Sequence, residues 1–254
     1  MIPKIIHYCW LSNDPIPQQL KDCMKTWKQV LPDYEWVKWD FTRFDINSSA
    51  WVKEAFENKK YAFAADYIRL YAIYTMGGVY LDMDIEVLKS FDEFLDNDFF
   101  TINEYYPEAF RKLKCGDLLD KEGHRVKEGK IAFGLQAAVL GGEKGSQYVK
   151  ELMSYYENRH FVLPDGSLDT KIIAPTIYVR KAEEWGFVYR DVEQHLKDRI
   201  TIYPSTFAAC TGDMLHPDNY VVHHCAHSWA EIKKVSLLER IQKRLKRLLK
   251  KSIV

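Results

Sequence analysis

The chain has 254 residues, ample for one α/β domain, and 47% of them are hydrophobic, so a disordered protein is excluded. Net charge is zero but unevenly spread: residues 233–254 hold nine Lys/Arg and one Glu, a local +8, which leaves −8 on residues 1–232. A body of that sign argues against nucleic acid as a partner. Five cysteines (Cys9, Cys23, Cys115, Cys210 and Cys225) show no CxxC spacing, and the N-terminus shows no signal-peptide pattern. No stretch of about 18 apolar residues exists to span a bilayer. The expectation is a reduced, cytoplasmic protein.

In chain order, the apolar run Ile2–Trp10 reads as a buried parallel strand, followed by the two-proline loop LSNDPIP. Leu20, Met24, Trp27 and Val30 share one face of a helix over 18–30, and Tyr34–Trp39 alternates as a second strand. This βαβ opening suits a nucleotide-binding sheet. After a short helical stretch (AWVKEAFEN), residues 61–76 form a central helix that Gly77-Gly78 terminates. Strands are predicted at Val79–Met83, Phe99–Glu104, Ile131–Leu140 and Tyr220–His223, with edge strands at Val188 and Ile200–Tyr203. Helices are predicted at Ser146–Asn158 and around Pro175; residues 105–130 read as an insertion or acceptor-side loop.

The chemistry concentrates at the strand after Gly77-Gly78. On a strand, residues i and i+2 point the same way, so Asp82 and Asp84 converge and would repel unless a divalent cation joins them. Mg²⁺ or Mn²⁺, which binds a few carboxylates together with phosphate oxygens, fits that need. Alone, an Asp-x-Asp pair is a weak signal, because such pairs are common in loops. Asp66 and Arg69 stand three residues apart on the preceding helix, as a local ion pair or as a grip on sugar hydroxyls and phosphate. Tyr80 shares the Asp82 side of its strand.

The block A-D-Y-I-R-(x10)-Y-L-D-M-D resembles the sugar-binding region of glycosyltransferase family thirty-two, the yeast initiating α-mannosyltransferase-like group. It is also similar to the glucosyltransferase domains of large clostridial toxins. Asp66, Arg69, Gly77, Gly78, Tyr80, Asp82 and Asp84 keep register over 19 residues. The resemblance implies a GT-A-like fold of Rossmann type and a divalent metal held by Asp82 and Asp84. It also implies a donor sugar held by Asp66, Arg69 and Tyr80. Trp10, which by itself reads as a core residue or a platform, would stack on the donor base. In VVHHCAHSW, His223 is the first choice as third metal ligand and His224 the alternative, while Ser228 and Trp229 would cap the diphosphate. Cys225-Ala226-His227 departs from the family's commoner aromatic and glycine. Gln136 would stand near the anomeric carbon. Retention of configuration is likewise implied by the resemblance.

The tail places Leu238, Ile241, Leu245 and Leu248 on one face amid Lys and Arg, the pattern of a basic amphipathic helix on an anionic membrane or of a helix docked on the body. The expected organisation is a transferase domain over 1–232 and this helix over 233–254, with 237–251 making the peripheral contact on the inner face of the cytoplasmic membrane. The expected reaction moves a hexose from a nucleoside diphosphate sugar, a UDP-sugar by family frequency. The acceptor is a saccharide or lipid-linked glycan, as in surface polysaccharide or capsule synthesis. Rival readings are a metal-dependent nucleotide-sugar hydrolase or nucleotidyltransferase, and a non-catalytic glycan- or membrane-binding protein.

Overall fold

The computed structural model describes residues 1–210 and 215–225. The elements in chain order are β1 (Ile5–Cys9), α1 (Gln18–Val30), β2 (Glu35–Trp39), α2 (Ala50–Glu57), α3 (Tyr61–Met76), β3 (Gly78–Leu81), β4 (Ile85–Val87), β5 (Phe99–Tyr105), α4 (Pro107–Lys112), β6 (Phe133–Gly142), α5 (Gln147–Ser154), α6 (Ala174–Glu183), β7 (Gln194–His195), β8 (Ile200–Tyr203), β9 (Ala208–Cys210) and β10 (Val221–His223). Seven strands form the central sheet in the order β2-β1-β3-β6-β5-β8-β7, and β4-β10-β9 form a small second sheet.

The expected α/β sheet is present, and its opening is the predicted parallel βαβ unit. It is not parallel throughout. β6 runs antiparallel to both β3 and β5, and all ten of its residues are buried. Val188 forms no strand; its N–H donates to Gln194 Oε1 (3.0 Å) and its carbonyl accepts from Gln194 Nε2 (2.9 Å), so a side-chain amide takes the place of a ladder partner. The helix predicted around Pro175 begins there, with proline in the first turn, where its missing N–H costs nothing. β9 and the second sheet were not foreseen, because three-residue strands carry too little periodicity to register.

α3 is the core helix. Its Ala64, Ala65, Ile68, Leu70, Ala72 and Ile73 are buried, and alanines let the helix lie close to the sheet. It stops at Gly77, φ 71°, whose N–H bonds to the Ile73 carbonyl at 2.7 Å. Gly78 follows at φ 120°, and a Cβ there would stand 2.8 Å from the Ile5 carbonyl oxygen and 2.9 Å from His7 Nε2. That histidine is wholly buried: Nε2 donates to the Gly77 carbonyl (2.8 Å), which leaves Nδ1 to accept the Trp39 indole N–H (3.0 Å). Burial lowers its pKa to about 4, so it is neutral and knits β1, β2 and the glycine turn together.

Candidate active site

The strands deliver their chemistry to one edge of the sheet, around a cleft of about 430 Å³ that Trp10, Asp66, Arg69, Tyr80, Asp82, Asp84, Gln136 and His223 all line. β3 ends at Leu81, so Asp82-Met83-Asp84 lies on a turn and not on the predicted strand; the Ile85 N–H closes that turn on the Asp82 carbonyl at 3.0 Å. The two carboxylates therefore meet through a turn, not through the pleat. Its backbone is pinned from three sides. The Asp82 N–H donates to the Ala138 carbonyl of β6 (2.9 Å), the Trp27 indole of α1 donates to the Ile85 carbonyl (2.6 Å), and the His224 N–H donates to the Asp84 carbonyl (3.0 Å).

Under this turn sits Arg69, with 4% of its side chain exposed. One guanidinium nitrogen lies 3.2 Å from Asp66 and 3.5 Å from Asp82, while the others donate to the carbonyls of Ala65 and Ala137. The guanidinium stacks on the Tyr80 ring at 4.8 Å, and the Tyr80 hydroxyl donates to Asp82 (2.9 Å). Four of the seven motif residues are thus one bonded group. Burial pushes the Asp66 pKa up to about 7, with Asp82 adding to the rise and Arg69 opposing it. Arg69 was expected to approach the sugar or the phosphate; in this structure it lines the cleft while its donors engage Asp66, Asp82 and the Ala65 and Ala137 carbonyls, which holds the two carboxylates in place.

His223 ends β10, paired antiparallel with β4, and faces Asp84 with Nε2 3.6 Å from Oδ1. Burial works against a charge on this imidazole, but the hydrogen bond and charge of Asp84, with Asp82 and Glu104 behind, raise its pKa. His224 pairs with Glu86 at 2.9 Å, so of the two histidines it is His223 that faces Asp84 in this arrangement. Ligand atoms of Asp82, Asp84 and His223 lie within 4.8 Å of one another. Neighbouring and opposite ligands of a cation with bonds of about 2.1 Å stand roughly 3.0 and 4.2 Å apart, so the 3.6 Å histidine–carboxylate separation suits one. Two carboxylates and an imidazole fit Mn²⁺ well and Mg²⁺ less well.

Trp10 follows β1 with its indole N–H on the Asp14 carbonyl (3.0 Å); part of the ring packs on the core below and part lines the cleft. Gln136 is buried in β6 with its side chain at the cleft and its carbonyl accepting from Thr101. Ser228, Trp229 and the tail lie outside the described residues. The sequence reading missed Glu104, Tyr106, Cys210 and Cys225, which also line the cleft. The predicted strand 99–104 ended on Glu104, but nothing local said that this end shared an edge with Asp82.

Residues 17–101 match the family profile described as the glycosyltransferase sugar-binding region containing the DXD motif. Inositol phosphoceramide mannosyltransferase 3 of Schizosaccharomyces pombe is 33% identical over 168 residues, 63% of this chain and 40% of the relative. An uncharacterized glycosyltransferase of Acanthamoeba polyphaga mimivirus is 31% identical over 132 residues, 50% of this chain and 53% of the relative. The chain thus spans about half, or less, of these curated relatives' lengths. Among solved structures, the galactosyltransferase LgtC with donor and acceptor sugar analogs aligns over 94% of both chains, with 13% identity and a TM-score of 0.45. The matched residues 17–101 run from α1 through the Asp82–Asp84 turn to the start of β5, so the likeness to the DXD sugar-binding region falls on the floor of the cleft.

Proposed function

We propose that this chain is a divalent-metal-dependent, retaining glycosyltransferase that moves a hexose from a nucleoside diphosphate sugar to a hydroxyl of a saccharide or lipid-linked glycan. The observation that carries the reading is the convergence of Asp82, Asp84 and His223 beside Asp66 at one sheet edge. These three residues would hold Mn²⁺ or Mg²⁺, and the bound cation would neutralise the charge on the departing diphosphate. Trp10 stacks on the base, and Asp66 accepts hydrogen bonds from the sugar hydroxyls. Arg69 and Tyr80 keep Asp66 and Asp82 in register for both tasks. Ser228 and Trp229, which lie outside the described residues, are assigned to the diphosphate by the sequence resemblance alone.

In the transfer, the bond from the anomeric carbon to the diphosphate oxygen breaks. The acceptor oxygen bonds to that carbon on the same face, and the acceptor proton leaves on the diphosphate. Gln136, on the neighbouring strand, lies against the developing charge on the sugar. The fission-yeast relative named as a mannosyltransferase supports mannose as the sugar to test first, ahead of the UDP-hexoses that family frequency favours. The basic tail supports a peripheral site on an anionic membrane, at the cytoplasmic face, where surface glycans are assembled on lipids.

A thermal-shift screen of GDP-mannose, UDP-galactose and UDP-glucose, with Mn²⁺ and with chelator, tests the donor side. One sugar nucleotide is expected to raise the melting temperature only when Mn²⁺ is present. Mass analysis of products then separates transfer from hydrolysis. Free nucleoside diphosphate with sugar monomer only, whatever acceptor is offered, would establish a hydrolase instead.

A further inference from the structure

The strand order arranges the cleft as a line. β1, β3, β6 and β5 are consecutive neighbours, and to the same edge they bring Trp10, Asp82, Gln136 and Glu104 in that order. Strands lie about 4.8 Å apart, so the two outer positions are separated by about 14 Å. With the base on Trp10 and the diphosphate at Asp82 and Asp84, the donor's hexose reaches Gln136. Glu104 then stands one strand further, beyond the anomeric carbon and on the side away from the nucleotide.

Its chemistry there is unspent. A carboxylate offers about four acceptor positions, and Glu104 receives one hydrogen bond, 2.7 Å from the Tyr106 hydroxyl. A further electrostatic neighbour among the described residues is the His223 imidazole. Besides His223, whose charge acts on it, the cleft also carries Ile173 and Pro175 at the start of α6, with Cys210 and Cys225. A strong acceptor beside apolar surface suits a ligand with hydroxyl donors on its edge and C–H groups on its face. A sugar or polyol ring has that character.

We propose that Glu104 is an acceptor-binding residue, its carboxylate receiving hydroxyls of an uncharged polyol ring, with Tyr106 as the positioning residue that orients it. This rests on the transferase reading above. The test measures donor and acceptor KM separately for wild type, Glu104→Ala, Glu104→Gln and Tyr106→Phe. It uses the sugar nucleotide found by the screen, with octyl glucoside, octyl galactoside, octyl mannoside and myo-inositol as acceptors. Loss of a hydrogen bond to a charged group predicts an acceptor KM about 10- to 100-fold higher in Glu104→Ala with donor KM held within about twofold. A smaller rise is expected in Glu104→Gln, which keeps an acceptor oxygen, and about threefold in Tyr106→Phe with kcat little changed.

Melting temperatures check that each variant folds. An acceptor KM unmoved in Glu104→Ala overturns the assignment, as does a donor KM that rises in step with it. A wild type that turns over the donor but uses none of these neutral acceptors also overturns it. A wild type that binds no sugar nucleotide fails the transferase reading itself, which is a separate result.

Discussion

The two sides of the cleft are built differently. The floor is local: Asp66, Arg69, Tyr80 and Asp82 come from one helix–turn–strand segment, are bonded to one another, and rest on a buried guanidinium and the most enclosed strands of the sheet. The closing side is remote. His223 arrives from far along the chain on a three-residue strand in a three-stranded sheet, and meets Asp84 at 3.6 Å with part of its ring exposed. Preorganisation at the floor fixes the carboxylates where, on the proposed reading, a cation and a sugar would be handled, at the cost of burying a charge network. The closing side rests on a three-residue strand in a small sheet, so substitutions should separate chemistry from folding differently on the two sides.

The largest expected effect falls where they meet. Asp84→Asn should lower transfer by about a thousandfold or more, the loss of several kcal/mol of charge stabilisation, while the melting curve stays near wild type. Near-normal turnover would remove the metal assignment. Next comes the floor itself. Arg69→Ala leaves two carboxylates without their buried partner and should cost about 3–5 kcal/mol in chemical unfolding. A loss below about 1 kcal/mol would mean that the floor is no sturdier than its opposite wall.

His7, which frames the floor through Gly77 and Trp39, gives a pH version of the same test. Its pKa is about 4 in the folded chain and 6.5 ordinarily, so between those values the unfolded chain binds the extra proton. Its contribution is therefore complete above pH 6.5 and drains away as pH falls towards 4, about 3 kcal/mol across the window. Unfolding at pH 7.5 and pH 5, with His7→Gln as the variant expected to flatten that part of the slope, measures it. The smallest effect on the fold belongs to the closing side: His223→Ala should weaken Mn²⁺ binding at least about tenfold by calorimetry, yet change stability by less than about 1 kcal/mol. A large loss of stability there would make the second sheet part of the folding core.

The floor was legible in the sequence because its spacing is its structure. A helix ending in Gly77-Gly78 must turn back, and Asp66 and Arg69 on that helix then face the strand carrying Tyr80. The convergence of Asp82 and Asp84 was legible although their backbone is a turn and not the expected strand, since a pleat and a tight turn both bring i and i+2 carboxylates together. The choice of His223 over His224 was open in the sequence. Adjacent residues diverge in direction, and only the pairing of β10 with β4 decides which of them faces Asp84. Glu104 gave no signal, because no motif in the stretch around it ties that strand end to the Asp82–Asp84 turn.

By itself, the sequence determined the local facts: an α/β alternation, the glycine turn, the floor motif, and a basic tail whose pattern needs no fold to be read. These depend on short-range rules of propensity, periodicity and steric freedom. The tertiary structure decided the order of strands at the sheet edge, and with it the line from Trp10 past Asp82 and Gln136 to Glu104. It also decided that Arg69 lies under the carboxylates as their counter-charge. Both are consequences of which strand sits beside which, and β6, inserted antiparallel between β3 and β5, is set there by burial of all ten of its residues and not by any signal along the chain.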